Sequence, residues 1–223
     1  MRVIAGLARG RPLVAPSRAP TRPTGDKIKG AIFSMLDAEA LRRGFEPVAD
    51  DEEHDGQFAA AVAWPTVLEL YAGSGALAIE ALSRGATHAD LVESSADARR
   101  AIATNLRVTG LSARASVHAL SSEAAVSTFR GSYDLILLDP PYDAEGVRPI
   151  LERLAAGGLL KHSGVVVWEH SRKTAPPEEI GASETSRGLR LLRSRQHGAA
   201  SVSIYAAVSP TNHDPQSHGG QSE

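Results

Sequence analysis

Asp139-Pro140-Pro141-Tyr142 follows directly on the apolar run Leu135-Ile136-Leu137-Leu138, and these four residues could do chemistry on a planar amino group. Each proline fixes φ near about −65° and removes a backbone N–H, so the Asp139 carboxylate and the Pro140 carbonyl stand as acceptors with no neighbouring donor to compete. Tyr142 adds an aromatic plate on which the ring carrying the amino group can stack. An apolar run that ends at a proline pair reads as a buried parallel strand opening into a rigid turn, the place where open α/β sheets bind ligands. The competing reading is an ordinary strand-ending turn with a surface tyrosine.

A second cluster lies upstream. Thr66-Val67-Leu68-Glu69-Leu70-Tyr71 reads as a strand, and Ala72-Gly73-Ser74-Gly75-Ala76-Leu77-Ala78 turns from it into a helix. Gly73 and Gly75 permit a tight turn and close approach of backbone to ligand, while the helix N-terminus offers free N–H groups. The G-x-G-x-x-A spacing also occurs in dinucleotide sites. His88-Ala89-Asp90-Leu91-Val92-Glu93 is a second strand whose terminal acid stands about twenty residues beyond the glycines, where a carboxylate can accept hydrogen bonds from both hydroxyls of a ribose. Other chemistries lack their residues. The chain has 8 His and 0 Cys, without HxxH or HExxH spacing, so no metal is expected. Ser74 has Ala72 and Ala76 where a nucleophile elbow needs glycines.

The elements that must position these residues follow from the pattern. A helix is expected from Asp26 to Arg43, with Ile28, Ala31, Ile32, Met35 and Leu36 on one side. The core then reads strand 66–71, helix 75–84, strand 88–93, helix 95–109, a weak strand 114–118, helix 122–129, strand 133–138, helix 145–156 and strand 164–169. Such alternation predicts a mostly parallel sheet covered by helices on both faces. Leu189–Arg195 and Ser201–Val208 read as two closing strands around His197-Gly198. At the other end, Arg2 to Val14 carries apolar residues interrupted by Gly6 and Gly10 and predicts a small N-terminal β-hairpin.

Bulk properties bound the reading. With 223 residues the chain suits one domain with a sizeable core. Nothing approaches the about 18–20 apolar residues of a membrane span, and no apolar leader is visible, so a cytoplasmic protein is expected. The formal net charge is −2, but it is unevenly placed. Residues 1–30 carry Arg2, Arg9, Arg11, Arg18, Arg22, Lys27 and Lys29 against Asp26, a balance of 7 − 1 = +6. A basic arm over 1–24 could meet phosphates, with Arg187, Arg190, Arg193 and Arg195 as the reserve candidates. Residues 44–63 collect Glu46, Asp50, Asp51, Glu52, Glu53 and Asp55 and read as a solvated acidic loop inserted in a domain spanning 25–208. Residues 209–223 are expected to be a disordered tail.

With the glycine loop, ribose acid and Asp-Pro-Pro-Tyr on strand ends of one alternating pattern, the chain resembles the S-adenosylmethionine-dependent methyltransferases that modify exocyclic amino groups of bases. Thr21-Arg22-Pro23-Thr24, Asp26-Lys27, Glu69 to Leu77, Glu80-Ala81-Leu82-Ser83-Arg84-Gly85-Ala86, Glu93 and Asn105-Leu106 narrow the resemblance to the bacterial 16S ribosomal RNA guanine-N2 methyltransferases, the RsmD family. That resemblance implies a Rossmann-like class I fold with a seven-stranded, mostly parallel sheet whose last strand is antiparallel. It implies S-adenosylmethionine as cofactor, held by Glu69, Tyr71, Ala72, Gly73, Ser74, Gly75, Glu93, Ser94 and Ser121. Asp139, Pro140, Pro141 and Tyr142 would act on the base, and Arg9, Arg11, Arg22 and Thr24 would hold the RNA of a 30S subunit or its 16S RNA, the enzyme acting as a monomer. The chain departs from the pattern after the third strand. His118-Ala119-Leu120-Ser121-Ser122-Glu123 stands where an acid often contacts adenine, and Ser121 or a backbone carbonyl would have to substitute. A DNA adenine-N6 methyltransferase can use the same four-residue motif, but no target-recognition domain is present. A dinucleotide-dependent oxidoreductase and a non-catalytic nucleotide-binding module share only the glycine loop.

Overall fold

A computed structural model describes residues 1–17, 25–49, 57–141, 146–181 and 187–209. Its centre is an eight-stranded sheet of order β3-β2-β1-β4-β5-β8-β7-β6, built from β1 (Thr66–Leu70), β2 (His88–Val92), β3 (Ala115–His118), β4 (Tyr133–Leu138), β5 (Leu160–Ser171), β6 (Glu179–Ile180), β7 (Gly188–His197) and β8 (Ala200–Val208). β1 to β5 pair in parallel; β8 pairs antiparallel with both β5 and β7. Parallel neighbours need covered crossovers, and among the described residues four helices supply them, α3 (Ala76–Ser83), α4 (Ala96–Thr109), α5 (Ser122–Thr128) and α6 (Val147–Ala156), while α1 (Asp26–Arg42) and α2 (Ala59–Ala63) precede β1.

Period-two alternation along each strand sorts the core into two layers. Val67, Ala89, Leu91, Leu135, Leu137, Val165 and Val167 face α1, α3 and α4. Leu68, Leu70, Val92, Ile136, Leu138, Val166 and Trp168 face α5 and α6. All six residues of β4 are buried, which is why its sequence reads as a continuous apolar run. The chain leaves β1 towards β2 on one side, while β4 lies on the other. This reversal opens a crevice at the carboxyl ends of β1 and β4, where doubly wound sheets hold ligands.

Three expectations need correction. The sheet has eight strands instead of seven, because Glu179 and Ile180 pair antiparallel with Arg190 and Leu189; two residues are too few to show a period. The N-terminal segment forms no pair of strands. A single antiparallel bridge joins Arg2 and Pro12, with Val3, Gly10 and Leu13 donating across it to the carbonyls of Arg11, Val3 and Met1, while the N–H groups of the loop between turn to α3. Ile4 and Ala5 donate to the two Glu80 carboxylate oxygens at 2.8 and 3.0 Å, Leu7 to the Ser83 carbonyl at 2.8 Å and Ala8 to Ser83 Oγ at 2.9 Å. Gly6 fits this contact because it has no side chain: a Cβ there would lie 1.7 Å from the Ser83 oxygen. The acidic stretch 44–63 is not wholly a solvated loop, since its end folds into α2, whose Ala59, Ala60, Ala61 and Ala63 are buried. Residues 50–56 and 210–223, which hold most of its acids and nearly all of the tail, lie outside the described residues.

Beneath the N-terminal segment runs a buried ion network. Lys29, fully buried, donates to the Arg2 carbonyl at 2.6 Å and pairs with Glu80 at 3.3 Å. Arg84 bridges Glu80 at 2.9 Å and Asp37 at 3.1 Å. Removing one partner of such a network would leave an uncompensated buried charge, a loss of about 3–5 kcal/mol. Lys29 therefore does not belong to the basic surface that the charge count suggests.

Candidate active site

The glycine loop leaves β1 through Tyr71, a non-glycine residue held at φ 58°. Such a conformation costs about 1–2 kcal/mol, and the surroundings hold it there: the Tyr71 N–H donates to Ser122 Oγ at 3.1 Å and its hydroxyl to Glu123 Oε1 at 3.0 Å. The Ala72 N–H reaches the Val92 carbonyl at 3.0 Å. Gly73 and Gly75 follow at φ 54° and 73°. Gly75 is packed from behind, since a Cβ on it would meet Leu91 Cδ2 at 2.8 Å; Gly73 opens on space, its nearest neighbour being the Tyr71 oxygen at 3.9 Å.

Glu93, at the end of β2, closes the loop. Its Oε2 accepts the Gly73 N–H at 2.8 Å and its Oε1 accepts the Ser95 N–H at 2.7 Å. Each oxygen keeps a further lone pair, which is what a pair of hydroxyls needs. Ser94 next to it is exposed. Glu69 is buried behind the loop, accepting the Ala78 N–H at 3.0 Å. Burial pushes its carboxyl up to about 8, with the N–H groups of Ala78 and Leu77 opposing and the charges of Asp139 and Glu93 adding to the rise.

Asp139 and Pro140 sit at the end of β4, the first half-buried and the second buried; Pro141 is exposed. Leu138 pairs with Leu70 on one side and Trp168 on the other. The next position brings Asp139 alongside the start of the glycine loop and alongside Glu169 of β5, which is buried. Tyr142 lies outside the described residues. Ser121 is exposed, and its Oγ caps α5 by accepting the Ala124 N–H at 3.2 Å, which leaves the hydroxyl one further lone pair as an acceptor.

Several supporting residues have roles that sequence reasoning does not assign. Asn105, buried on α4, donates to the carbonyls of Val14 and Ser74, both at 2.9 Å, and accepts the Val14 N–H at 2.8 Å. It ties the N-terminal segment to the glycine loop. Its signal is an amide on the apolar stripe of Ala98, Ala101, Ile102 and Leu106. Glu169 has the same signal as Glu93, an acid closing an apolar strand. Ser122 and Glu123 had none, because neighbouring serines are interchangeable in a sequence.

The RNA candidates are divided by the fold. The chain passes from Met1, whose Sδ is 3.9 Å from Ser74 Oγ, to the turn at Gly6–Arg9 against Ser83, and returns to Val14. Arg9 and Arg11 are exposed, but Arg9 stands at the far end of α3, roughly 12 Å from the glycine loop for eight residues at about 1.5 Å each. Arg22 and Thr24 lie outside the described residues. Among the described residues no group of acids and histidines is arranged to hold a metal ion, and no helix is long and apolar enough to cross a membrane.

A strained turn with two glycines, an acid after β2 bound to it, and an acidic Asp-Pro-Pro end on the neighbouring strand all meet at the point where the sheet reverses. Residues 1–206 match the family described as Conserved hypothetical protein 95. The chain belongs to that family. The match agrees with the motifs' resemblance to the RsmD family. A Bacillus subtilis (strain 168) protein named "Putative rRNA methyltransferase YlbH" is 33% identical over 212 residues, covering 92% of this chain and 98% of its own length. "Ribosomal RNA small subunit methyltransferase D" of Escherichia coli (strain K12) is 27% identical over 179 residues, 79% of this chain and 78% of its own. Among solved structures, a hypothetical protein of Thermus thermophilus superposes with a TM-score of 0.67 at 26% identity, covering 92% of this chain and 98% of that one.

Proposed function

We propose that this protein transfers the methyl group of S-adenosylmethionine to the exocyclic N2 amino group of a guanine in 16S ribosomal RNA, within an assembled or partly assembled small subunit, acting as a cytoplasmic monomer. The observation that carries the reading is the Asp139-Pro140-Pro141 end of β4 beside the glycine loop and Glu93, in a chain of this family. The relatives' names, which speak of rRNA and of the small subunit, support it.

The residues suit the cofactor. Glu93 has acceptors for both ribose hydroxyls, the space over Gly73 admits a ligand close to the backbone, and Tyr71, Ala72, Ser74, Gly75 and Ser94 line or support the same turn. Glu69, buried behind the loop, accepts the Ala78 N–H and steadies the start of the helix that follows it. When bound there, S-adenosylmethionine supplies an electrophilic methyl group.

The chain's own task is to make a poor nucleophile good. The N2 lone pair of guanine is delocalised into the ring. The Asp139 carboxylate and the Pro140 carbonyl, accepting the two N–H bonds, draw that lone pair out of the ring and toward the methyl carbon. The prolines keep competing donors away, and Tyr142 supplies a stacking surface for the unstacked base. Positioning and charge placement of this kind can supply several kcal/mol of the barrier. As the new C–N bond forms and the S–C bond breaks, the nitrogen becomes cationic; its proton passes by way of Asp139 to water.

The test is methyl transfer from labelled S-adenosylmethionine to small subunits from cells lacking this protein, with mass spectrometry of nuclease fragments. N2-methylguanine at one position is expected, with Asp139→Ala abolishing most transfer while cofactor affinity stays within a few-fold. N6-methyladenine in DNA instead would overturn the RNA assignment and favour the adenine enzyme; normal turnover by Asp139→Ala would remove that residue from the mechanism.

A further inference from the structure

We propose that the carboxyl-edge corner formed by the ends of β5 and β7, carrying Arg172, Lys173, Arg193 and Arg195, is the surface that holds the substrate RNA's phosphates next to the methylation site. This rests on the function proposed above, and it assigns to the last third of the chain a role that the charge count alone would give to the N-terminal segment.

The geometry begins with direction. β5 runs toward the same edge as β4 and ends at Ser171; β7 runs the same way and ends at His197, with Ala200 of β8 paired to both. The Arg172 N–H donates to the Ala199 carbonyl at 3.0 Å, which fixes the turn after β5 against the β7–β8 hairpin. Arg172 and Lys173 are exposed there, Arg195 is exposed on β7, and Arg193 is half-exposed one step below. Val202 pairs with Arg195 on one side and with Glu169 on the other, so these two share a face of the sheet, and Glu169 adjoins Asp139. Three strand spacings of about 4.8 Å put the Arg195 backbone roughly 14 Å from Asp139. A long side chain spans much of that distance.

Charge separates this corner from the other basic candidates. Among the described residues, Arg172, Lys173, Arg193 and Arg195 have no acid partner, whereas Arg190 is held by Glu179 at 2.9 Å and Arg187 donates to the Leu160 carbonyl at 3.1 Å toward the opposite edge. Arg9 lies at the remote end of α3, and Lys29 is buried. Four cations that no acid among the described residues pairs with repel one another and attract a polyanion. An enzyme that pulls a base from its stack must grip the flanking backbone beside the pocket, and this corner is where the described residues provide that grip. RNA, a phosphate chain passing Asp139, matches both its charge and its position.

The full chain is titrated with 16S ribosomal RNA transcript over a series of salt concentrations, as the parent, as Arg172→Ala/Lys173→Ala/Arg195→Ala, and as Arg9→Ala/Arg11→Ala. The triple variant is expected to lose about tenfold or more in affinity near about 0.1 M salt, with the log–log salt slope flattened by about 0.7–0.9 for each phosphate no longer engaged. Its S-adenosylmethionine affinity by calorimetry should stay within about twofold, and Arg172→Lys/Arg195→Lys should recover most of the RNA binding. The Arg9/Arg11 pair is expected to change affinity less than the triple. A triple variant with the parent's affinity and slope, in a parent that binds and methylates the RNA, overturns this surface alone, as does an Arg9/Arg11 pair that loses more. A parent that neither binds nor methylates ribosomal RNA, as transcript or within the small subunit, overturns the proposed function, and this surface with it.

Discussion

Glu69 holds its proton at neutral pH, since burial raises its carboxyl from 4.5 to about 8. The folded protein therefore binds this proton more tightly than the unfolded chain does. Its contribution to stability is complete below about pH 4.5 and is lost as pH rises through about 8, a few kcal/mol at about 1.4 kcal/mol per pH unit. Denaturant titrations between about pH 5 and 9 should show the parent losing stability relative to Glu69→Gln; parallel curves would mean that Glu69 is ionised in the native state. Glu93 yields a different outcome. Because it accepts two loop N–H groups as well as the expected ribose hydroxyls, Glu93→Ala should weaken S-adenosylmethionine binding by roughly 1.5–3 kcal/mol in calorimetry without unfolding the chain. At this scale the sequence is informative where a residue's type and its place at a strand end coincide, as at Glu93 and Asp139. Asn105 is visible in the sequence only as half of a motif, because its hydrogen bonds join segments 91 and 31 residues away.

The segment ahead of α1 shows how an element depends on what it packs against. Arg2 to Val14 doubles back on itself through Val3, Gly10 and Leu13, yet the donors between Ile4 and Ala8 are taken by Glu80 and Ser83, and a sequence carries no mark of a partner 75 or 76 residues away. The two glycines of its turn should respond differently to the same change. Gly6→Ala combines φ 79° with a Cβ 1.7 Å from a carbonyl oxygen, so a loss of more than about 2 kcal/mol in chemical denaturation is expected. Gly10→Ala meets nothing within 4 Å and should cost only the left-handed backbone, about 1 kcal/mol. Equal losses would show that this segment is not seated on α3. The parallel core was legible because hydrophobic periodicity is local. β6 and α2 were not, being two and five residues long.

For the whole molecule, ligand binding offers the most direct discrimination between function classes. A ligand that binds only the native state stabilises it by about 2.7 kcal/mol at about a hundred times its Kd, roughly 5–10 °C in Tm for a chain of this size. S-adenosylmethionine should produce that rise and NAD should produce none; the reverse would return the chain to the dinucleotide enzymes. The net charge of −2 conceals a molecule whose acids and bases are segregated, and only the fold shows which of the bases stand at the edge where a base is to be methylated.

Lys29 gives that segregation a chemical clock. Of the four lysines, at 27, 29, 161 and 173, Lys29 is fully buried, its ammonium held between the Arg2 carbonyl and Glu80. An amine-acylating reagent can reach Lys27 and Lys173, which are exposed, in every molecule. It can reach Lys29 only in molecules whose first residues have lifted from α3, a local opening with its own free energy. The ratio of acylation at Lys29 to that at Lys27, read by mass spectrometry, thus measures how often the N-terminal segment lets go. Because Asn105 joins that segment to Ser74, a bound cofactor that steadies the glycine loop should slow the Lys29 reaction and leave Lys27 unchanged.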